Sequence, residues 1–124
     1  MKKGITFGAF DLFHAGHVLM MEEAKSVCDY LIVCLQTDPS IDRSEKNSPV
    51  QSILERQIQV ESCKYVDEVI IYDTEEDVME ISNSIDWDVR ILGDEYKDKY
   101  FTGREEYLDK CYFNKRPHDF SSSE

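Results

Sequence analysis

The chain has 124 residues, a formal net charge of −12 at pH 7 and four cysteines. This length favours one domain with a modest core, and the acidic balance argues against nucleic acid as a partner, because such binding depends on neutralising phosphates. No apolar stretch is long enough for a signal peptide or a membrane span, and no cysteine pair has C-x-x-C spacing. We therefore expect a cytoplasmic protein with reduced thiols and no membrane partner.

Short apolar runs alternate with helical patterns along the chain. In chain order the sequence predicts a strand over 4–7, a helix over 16–28, a strand over 30–36, a polar connection over 37–49, a helix over 52–64, a strand over 68–72, a helix over 75–84, a strand over 89–92, a helix over 103–109 and a short strand over 110–114. Ser52 with Glu55 forms a capping-box pattern at the start of the second helix. The alternation predicts an α/β fold, a Rossmann-like open parallel sheet with helices on both faces.

Three polar segments follow predicted strands: residues 8–17, 37–38 and 93–94. Because right-handed crossovers place the carboxyl ends of parallel strands along one edge, these segments should converge there. The connection over 37–49 contributes Lys46 to the same edge, where it is either a solvated charge or a phosphate ligand. We expect a functional site at this edge.

The segment Gly8 to His17, with the sequence GAFDLFHAGH, lies between the first strand and the first helix. Backbone N–H groups and the helix dipole at such a turn bind phosphate, and His14 and His17 share one helical face. One alternative is a turn with two solvated or packed histidines, and a second is a zinc site built on H-x-x-H. It would need further ligands, and no cysteine or other histidine lies nearby in the sequence.

This segment resembles the G-x-F-D-x-x-H-x-G-H signature of the cytidylyltransferase-like nucleotidyltransferases, and the glycerol-3-phosphate cytidylyltransferases most of all. The matching positions are Gly8, Phe10, Asp11, His14, Gly16 and His17. Ala9 stands where the family commonly has Thr or Ser. Near the end, residues 116–123 resemble the family's R-x-x-x-I-S-T-T segment, and Lys64 to Val69 resembles R-Y-V-D-E-V, a stretch near the family's dimer interface.

The resemblance implies roles for individual residues. His14, His17, Lys46 and Arg116 would act on the phosphates in catalysis. Further nucleotide contacts are expected from Gly8, Ala9, Phe10, Asp11, Gly16, Asp94, Phe120, Ser121 and Ser122. Contacts to the acceptor are expected from Asp38, Arg56 and Tyr96. Asp11 should also stabilise the turn and orient a histidine. Asp94 is either a turn cap or a hydrogen-bond acceptor for the exocyclic amine of cytosine, although adenine has an amine too.

The implied reaction transfers a cytidylyl group from CTP to a small phosphorylated alcohol, glycerol 3-phosphate in the first instance, and releases pyrophosphate. Mg²⁺ would enter with the nucleotide rather than bind to a dedicated protein site. A homodimer is expected, and a single domain over residues 1–124 without the family's final helix. Two alternatives stay open: the same chemistry with ATP or another acceptor (phosphoethanolamine, phosphocholine, a sugar phosphate or phosphopantetheine), and a nucleotide-binding module without turnover.

Overall fold

The computed structural model describes residues 1–115, and five parallel strands form its single sheet. The strands are β1 (Lys3–Gly8), β2 (Tyr30–Gln36), β3 (Glu68–Tyr72), β4 (Val89–Leu92) and β5 (Cys111–Phe113), in the spatial order β3-β2-β1-β4-β5. The helices are α1 (Ala15–Lys25), α2 (Pro39–Asp42), α3 (Ile53–Glu61), α4 (Glu75–Ser84) and α5 (Arg104–Tyr107). The predicted Rossmann-like α/β fold is confirmed.

Strand β2 shows how the sheet is covered on both faces. Its alternate residues Leu31, Val33 and Leu35 belong to a core cluster that includes Met21 of α1 and Val60 of α3. Ile32 and Cys34 belong instead to a cluster that includes Val78 of α4. A strand buried on both faces needs a continuous apolar run, which is why β2 lacks the alternation of a half-exposed strand.

The predicted helices begin within one residue of the expected positions; α4 has the predicted bounds, whereas α1, α3 and α5 end earlier than predicted. Ser52 and Glu55 form the expected capping box of α3, and Thr74 with Asp77 forms a second one at α4. The first helix ends at Lys25 rather than residue 28, and α3 ends at Glu61 rather than 64. In both cases a serine follows whose hydroxyl donates to a carbonyl three residues earlier, and this bond satisfies the last turn.

Strand order changes direction between β1 and β4. Chain connections leave these two neighbours toward opposite sides of the sheet, which opens a crevice at their carboxyl ends. The polar connection over 37–49 contains the short helix α2, with Asp38 as its N-cap. No helix within residues 1–115 has the length and apolarity to cross a bilayer.

Candidate active site

A cavity of about 680 Å³ occupies the crevice at the carboxyl ends of β1 and β4. Residues from all three predicted segments reach it or flank it. Its lining includes Gly8, His17, Lys46, Arg90, Gly93 and Tyr96. The convergence expected from parallel strands is therefore present in the structure.

The turn after β1 has a compact, unusual backbone. Phe10 and Leu12 adopt positive φ values of 48° and 50°, which side-chain-bearing residues seldom do. The Phe10 ring folds back against Gly8, where an added Cβ would lie 3.1 Å from Cε2 of that ring. Glycine at position 8 thus lets the aromatic ring close the turn, with the turn backbone bordering the cavity.

His14 and His17 form the first turn of α1 together. The Nδ1 atom of His14 accepts from Gly16 N–H at 3.0 Å, and Nδ1 of His17 accepts from His14 N–H at 3.2 Å. The ring centroids are 3.9 Å apart. Because Nδ1 accepts in both rings, the N–H of each imidazole is on Nε2.

Aromatic rings hold His17 in place. Phe13 stacks on its imidazole with centroids 5.3 Å apart and planes 14° from parallel, and Phe10 meets it edge-on at 5.6 Å. His17 lines the cavity, and His14 lies beside it. The prediction that the two histidines lie close enough to serve one phosphate agrees with this geometry.

Asp11 connects the turn to the start of α3. Its two carboxylate oxygens accept from the N–H groups of Val50 and Gln51, at 2.7 and 2.9 Å. Gln51 returns a bond, since its side chain accepts from Leu12 N–H at 2.9 Å. Asp11 therefore stabilises the turn by binding a distant backbone segment, a partner other than the histidine expected from the sequence.

Arg56 differs from the expectation that it contacts an acceptor. Its side chain is 1% exposed. Its guanidinium donates to four backbone carbonyls: Gln51, Ala9, Gln36 and Thr37. Burial lowers the pKa of this guanidinium, while the carboxylates of Asp11 and Asp38 counteract the shift. Arg56 therefore stabilises the fold by connecting the turn after β1, the end of β2 and the segment before α3.

Asp38 is also occupied by the local fold. Its carboxylate accepts from the backbone N–H and hydroxyl of Ser40 at 2.9 and 2.6 Å, and from the Ser48 hydroxyl at 3.4 Å. The bonds from Ser40 and Ser48 lower its pKa, although partial burial opposes them. The predicted acceptor ligand is thus the N-cap of α2 and does not line the cavity.

The connection that contains α2 brings Lys46 to the cavity, as predicted. It also brings Arg43, which the sequence reasoning missed and which forms an exposed ion pair with Glu45 at 3.1 Å. The nearby Pro39 lines the cavity as well. Two side-chain cations therefore border the cavity from this connection.

At the end of β4 the residues that follow Asp94, rather than Asp94 itself, line the cavity. Asp94 is exposed and begins a turn of 3₁₀-helix, while Glu95 and Tyr96 line the cavity. A 3₁₀ turn rotates about 120° per residue, so adjacent side chains face different ways. The Glu95 carboxylate lies against Gly93, at a place where any Cβ would collide with it. Tyr96, the third predicted acceptor ligand, meets Phe101 edge-on.

Arg90 of β4 is a further cavity residue that the sequence analysis did not single out. It is 6% exposed, and its guanidinium carbon lies 4.8 and 5.1 Å from the ring centroids of Phe7 and Phe101. One terminal nitrogen donates to the Thr102 carbonyl. An arginine inside a four-residue strand buried at every position was the available signal, since a buried charge needs a partner.

Four predicted residues, Arg116, Phe120, Ser121 and Ser122, lie outside the described residues. Within residues 1–115, no group of three His, Cys, Asp or Glu side chains is arranged to hold a metal ion. The cations that line the described part of the cavity are Arg43, Lys46 and Arg90. They offset a strongly acidic background, and this favours an anionic ligand.

The family model described as cytidylyltransferase-like matches residues 5–120. The chain belongs to this family. The glycerol-3-phosphate cytidylyltransferase of Bacillus spizizenii is 39% identical over 112 residues, which are 90% of this chain and 85% of that protein. The enzyme of the same name from Bacillus subtilis is 36% identical over 100 residues, 81% of this chain and 77% of that protein. The chain is thus a nucleotidyltransferase of the cytidylyltransferase-like family.

The fold has a counterpart among solved structures. The lipopolysaccharide core biosynthesis protein from Thermoplasma volcanium superimposes with a TM-score of 0.77, covering 95% of this chain and 99% of that one. At 24% sequence identity this similarity concerns the fold alone.

Proposed function

We propose that the protein transfers a cytidylyl group from CTP to a small phosphomonoester, with glycerol 3-phosphate as the reference acceptor, and releases pyrophosphate. The observation that carries the proposal is the pair of Nε2–H donors on His14 and His17, at the N-terminus of α1 beside the cavity. Donors at a helix N-terminus suit phosphate oxygens. The choice of CTP and of a phosphorylated alcohol rests on the names of the relatives.

The reaction needs positioning and charge stabilisation more than a base. The second pKa of a phosphomonoester is about 6, so an acceptor phosphate is largely ionised at neutral pH. One of its oxygens forms a bond to the α-phosphorus of CTP. The bond from that phosphorus to the bridging oxygen breaks, and the electron pair leaves on pyrophosphate. The products are a CDP-alcohol and pyrophosphate.

The histidines and cavity cations supply the stabilisation. The Nε2–H groups of His14 and His17 would donate to phosphate oxygens, and these bonds strengthen as negative charge builds on the leaving group. Lys46, which lines the same cavity, would neutralise part of the triphosphate charge. Magnesium would arrive with the nucleotide, bound by phosphate oxygens and water, and would add to the charge neutralisation.

Paired substitutions at His17 test the mechanism. In His17→Asn the amide takes the place of the Nδ1 acceptor, but nothing replaces the Nε2 donor. In His17→Gln the longer side chain can return a donor to that place. We expect kcat/KM for pyrophosphate release from CTP and glycerol 3-phosphate to fall at least 100-fold in the first variant and less in the second. A loss below tenfold in His17→Asn, about 1.4 kcal/mol of transition-state stabilisation, would overturn the assigned role.

Two further arms of this assay address the alternatives. ATP replaces CTP in one, and activity with ATP above that with CTP would contradict the nucleotide assignment. The other measures CTP binding through thermal stabilisation. Stabilisation by CTP without pyrophosphate release from any phosphomonoester would contradict turnover. The alanine at position 9, where the family commonly has a hydroxyl, makes that arm necessary.

A homodimer is the proposed assembly, formed through an exposed apolar row at α3. Val50, Leu54 and Ile58 recur every four residues and are 77%, 62% and 59% exposed. A second copy of the chain would cover this row. Leu54→Lys should reduce the mass measured by light scattering from dimer to monomer, whereas Ile41→Lys, at a site 77% exposed elsewhere, should not. A monomeric wild-type protein would contradict the proposal.

A further inference from the structure

The guanidinium of Arg90 is a buried cation that forms no ion pair with any described residue. Ion pairs within residues 1–115 are Lys25–Asp67 and Arg43–Glu45, and neither involves Arg90. Its Nε atom is buried without a hydrogen-bond partner in the described structure. A buried charge in this condition is costly unless something completes its bonding.

The neighbouring acidic side chain is engaged elsewhere. Glu75 at the start of α4 accepts a hydrogen bond from the Thr102 hydroxyl at 2.8 Å. The Thr102 carbonyl accepts a hydrogen bond from one terminal nitrogen of Arg90. The other titratable groups whose charge acts on Arg90 are Tyr72, Cys34 and Cys111. Burial raises the pKa of all three, so they are neutral near pH 7 and place no negative charge beside the cation, on which Glu75 acts through space.

The position of Arg90 restricts what could complete its bonding. The rings of Phe7 and Phe101 lie 4.8 and 5.1 Å from the guanidinium carbon, so a ligand meets the least obstruction along an edge of the guanidinium. The edge beside Thr102 is occupied. The Nε–H and the second terminal nitrogen form the other edge, which matches the two oxygens of a carboxylate. Arg90 is also buried beside these rings, and the scarcity of water around it strengthens such a pair.

Arg90 and the two histidines are associated with different faces of the sheet. In β4 its side chain lies on the sheet face that carries α4, opposite Val89 and Ile91, which pack in the cluster that includes α1. The histidines belong to the turn before α1. Both regions border one continuous cavity. An acceptor whose phosphate attacks the α-phosphorus inside this cavity can extend its other end toward Arg90.

We infer that Arg90 determines acceptor specificity by binding a second acidic group, a carboxylate, of the phosphomonoester acceptor. This inference rests on the proposed function. It narrows the acceptor from glycerol 3-phosphate to phosphomonoesters of similar size that also carry a carboxylate.

A matched pair of acceptors tests it. 3-Phosphoglycerate has the three-carbon skeleton of glycerol 3-phosphate, with a carboxylate in place of the terminal alcohol. With CTP, the wild-type protein should turn over 3-phosphoglycerate with a kcat/KM at least tenfold above that of glycerol 3-phosphate. Arg90→Met should reduce this ratio at least tenfold and leave the KM for CTP within threefold. Arg90→Lys, which keeps the charge without the two-pronged edge, should give an intermediate ratio.

Several outcomes would overturn the inference. One is a wild-type preference for glycerol 3-phosphate, and another is an equal loss with both acceptors in Arg90→Met. A third is a raised KM for CTP with the ratio unchanged, which would assign Arg90 to the nucleotide. Should Arg90→Met fail to fold, Arg90→Lys and Arg90→Gln carry the comparison.

Binding measurements distinguish failure of this inference from failure of the proposed function. Thermal stabilisation by 3-phosphoglycerate, compared with glycerol 3-phosphate, requires no turnover. A larger shift in wild type than in the Arg90 variant supports the inference even if no pyrophosphate appears. Equal shifts in an enzyme that releases pyrophosphate contradict the inference alone.

Discussion

Replacing Arg56 by methionine should destabilise the protein strongly, because its guanidinium donates to the carbonyls of Gln51, Ala9, Gln36 and Thr37 from a site that is 1% exposed. A methionine of similar length would fill most of the space and leave four carbonyls without their donor. Each buried group left unpaired costs about 1–3 kcal/mol. Removing the buried cation also relieves its own desolvation, which offsets part of that loss.

The expected net loss in the free energy of unfolding is about 4 kcal/mol, a large share of the roughly 5–15 kcal/mol typical of a domain. Urea unfolding followed by circular dichroism measures it. Arg43→Met is the matched control, because that arginine makes only an exposed pair with Glu45 and should lose at most about 0.5 kcal/mol. A loss below about 1 kcal/mol in Arg56→Met, with a raised KM for the acceptor, would refute the structural role and restore direct acceptor contact.

The remaining predictions concern two aspartates. Asp11→Ala removes two charge-assisted bonds to the backbone before α3 and should cost about 2 kcal/mol in urea unfolding; an unchanged midpoint would contradict the tie. Partial burial raises the pKa of Asp67, but hydrogen bonds from Lys25 and from Leu31 N–H lower it further, so the net shift is downward. A lowered folded pKa contributes stability above the unfolded value of about 3.9, and that stability disappears as pH falls through the folded pKa. Wild type should therefore exceed Asp67→Asn in stability at pH 7, and the gap should narrow below about pH 4; a gap independent of pH would contradict this.

The strands were predictable because each buried strand is a short apolar run, and the polar residues on either side mark where it begins and ends. The bounds of β2, β3 and β4 agree with the prediction at both ends. Helix ends were less predictable, since the apolar spacing of α1 continues through Val27 and Cys28. The helix stops earlier because the Ser26 hydroxyl bonds the Glu23 carbonyl. A pattern of side-chain polarity contains no information on that competition for a backbone acceptor.

The candidate site was predictable where backbone and side chain act together, as in the segment from Gly8 to His17. It was not predictable where a charged side chain serves the fold. In the sequence, Arg56 cannot be distinguished from a solvated or ligand-binding arginine, because its hydrogen-bond partners come from distant segments of the chain. At the end of β4, a single turn of 3₁₀-helix decides that Glu95 rather than Asp94 borders the cavity. Arg90 was visible in the strand, but its environment depends on residues far along the chain.

The hydrogen bonds of Asp11 and Arg56 restrict the conformations available to the segment that contains Lys46. Arg56 holds the chain at Gln36 and Thr37, and Asp11 holds it at Val50 and Gln51. A loop with fixed ends samples a much smaller volume than a free tail of equal length. The ammonium group of Lys46 therefore has a high effective concentration near the turn. Most of the entropy lost in bringing it to a triphosphate is already lost when the protein folds, so nucleotide binding has less ordering left to do.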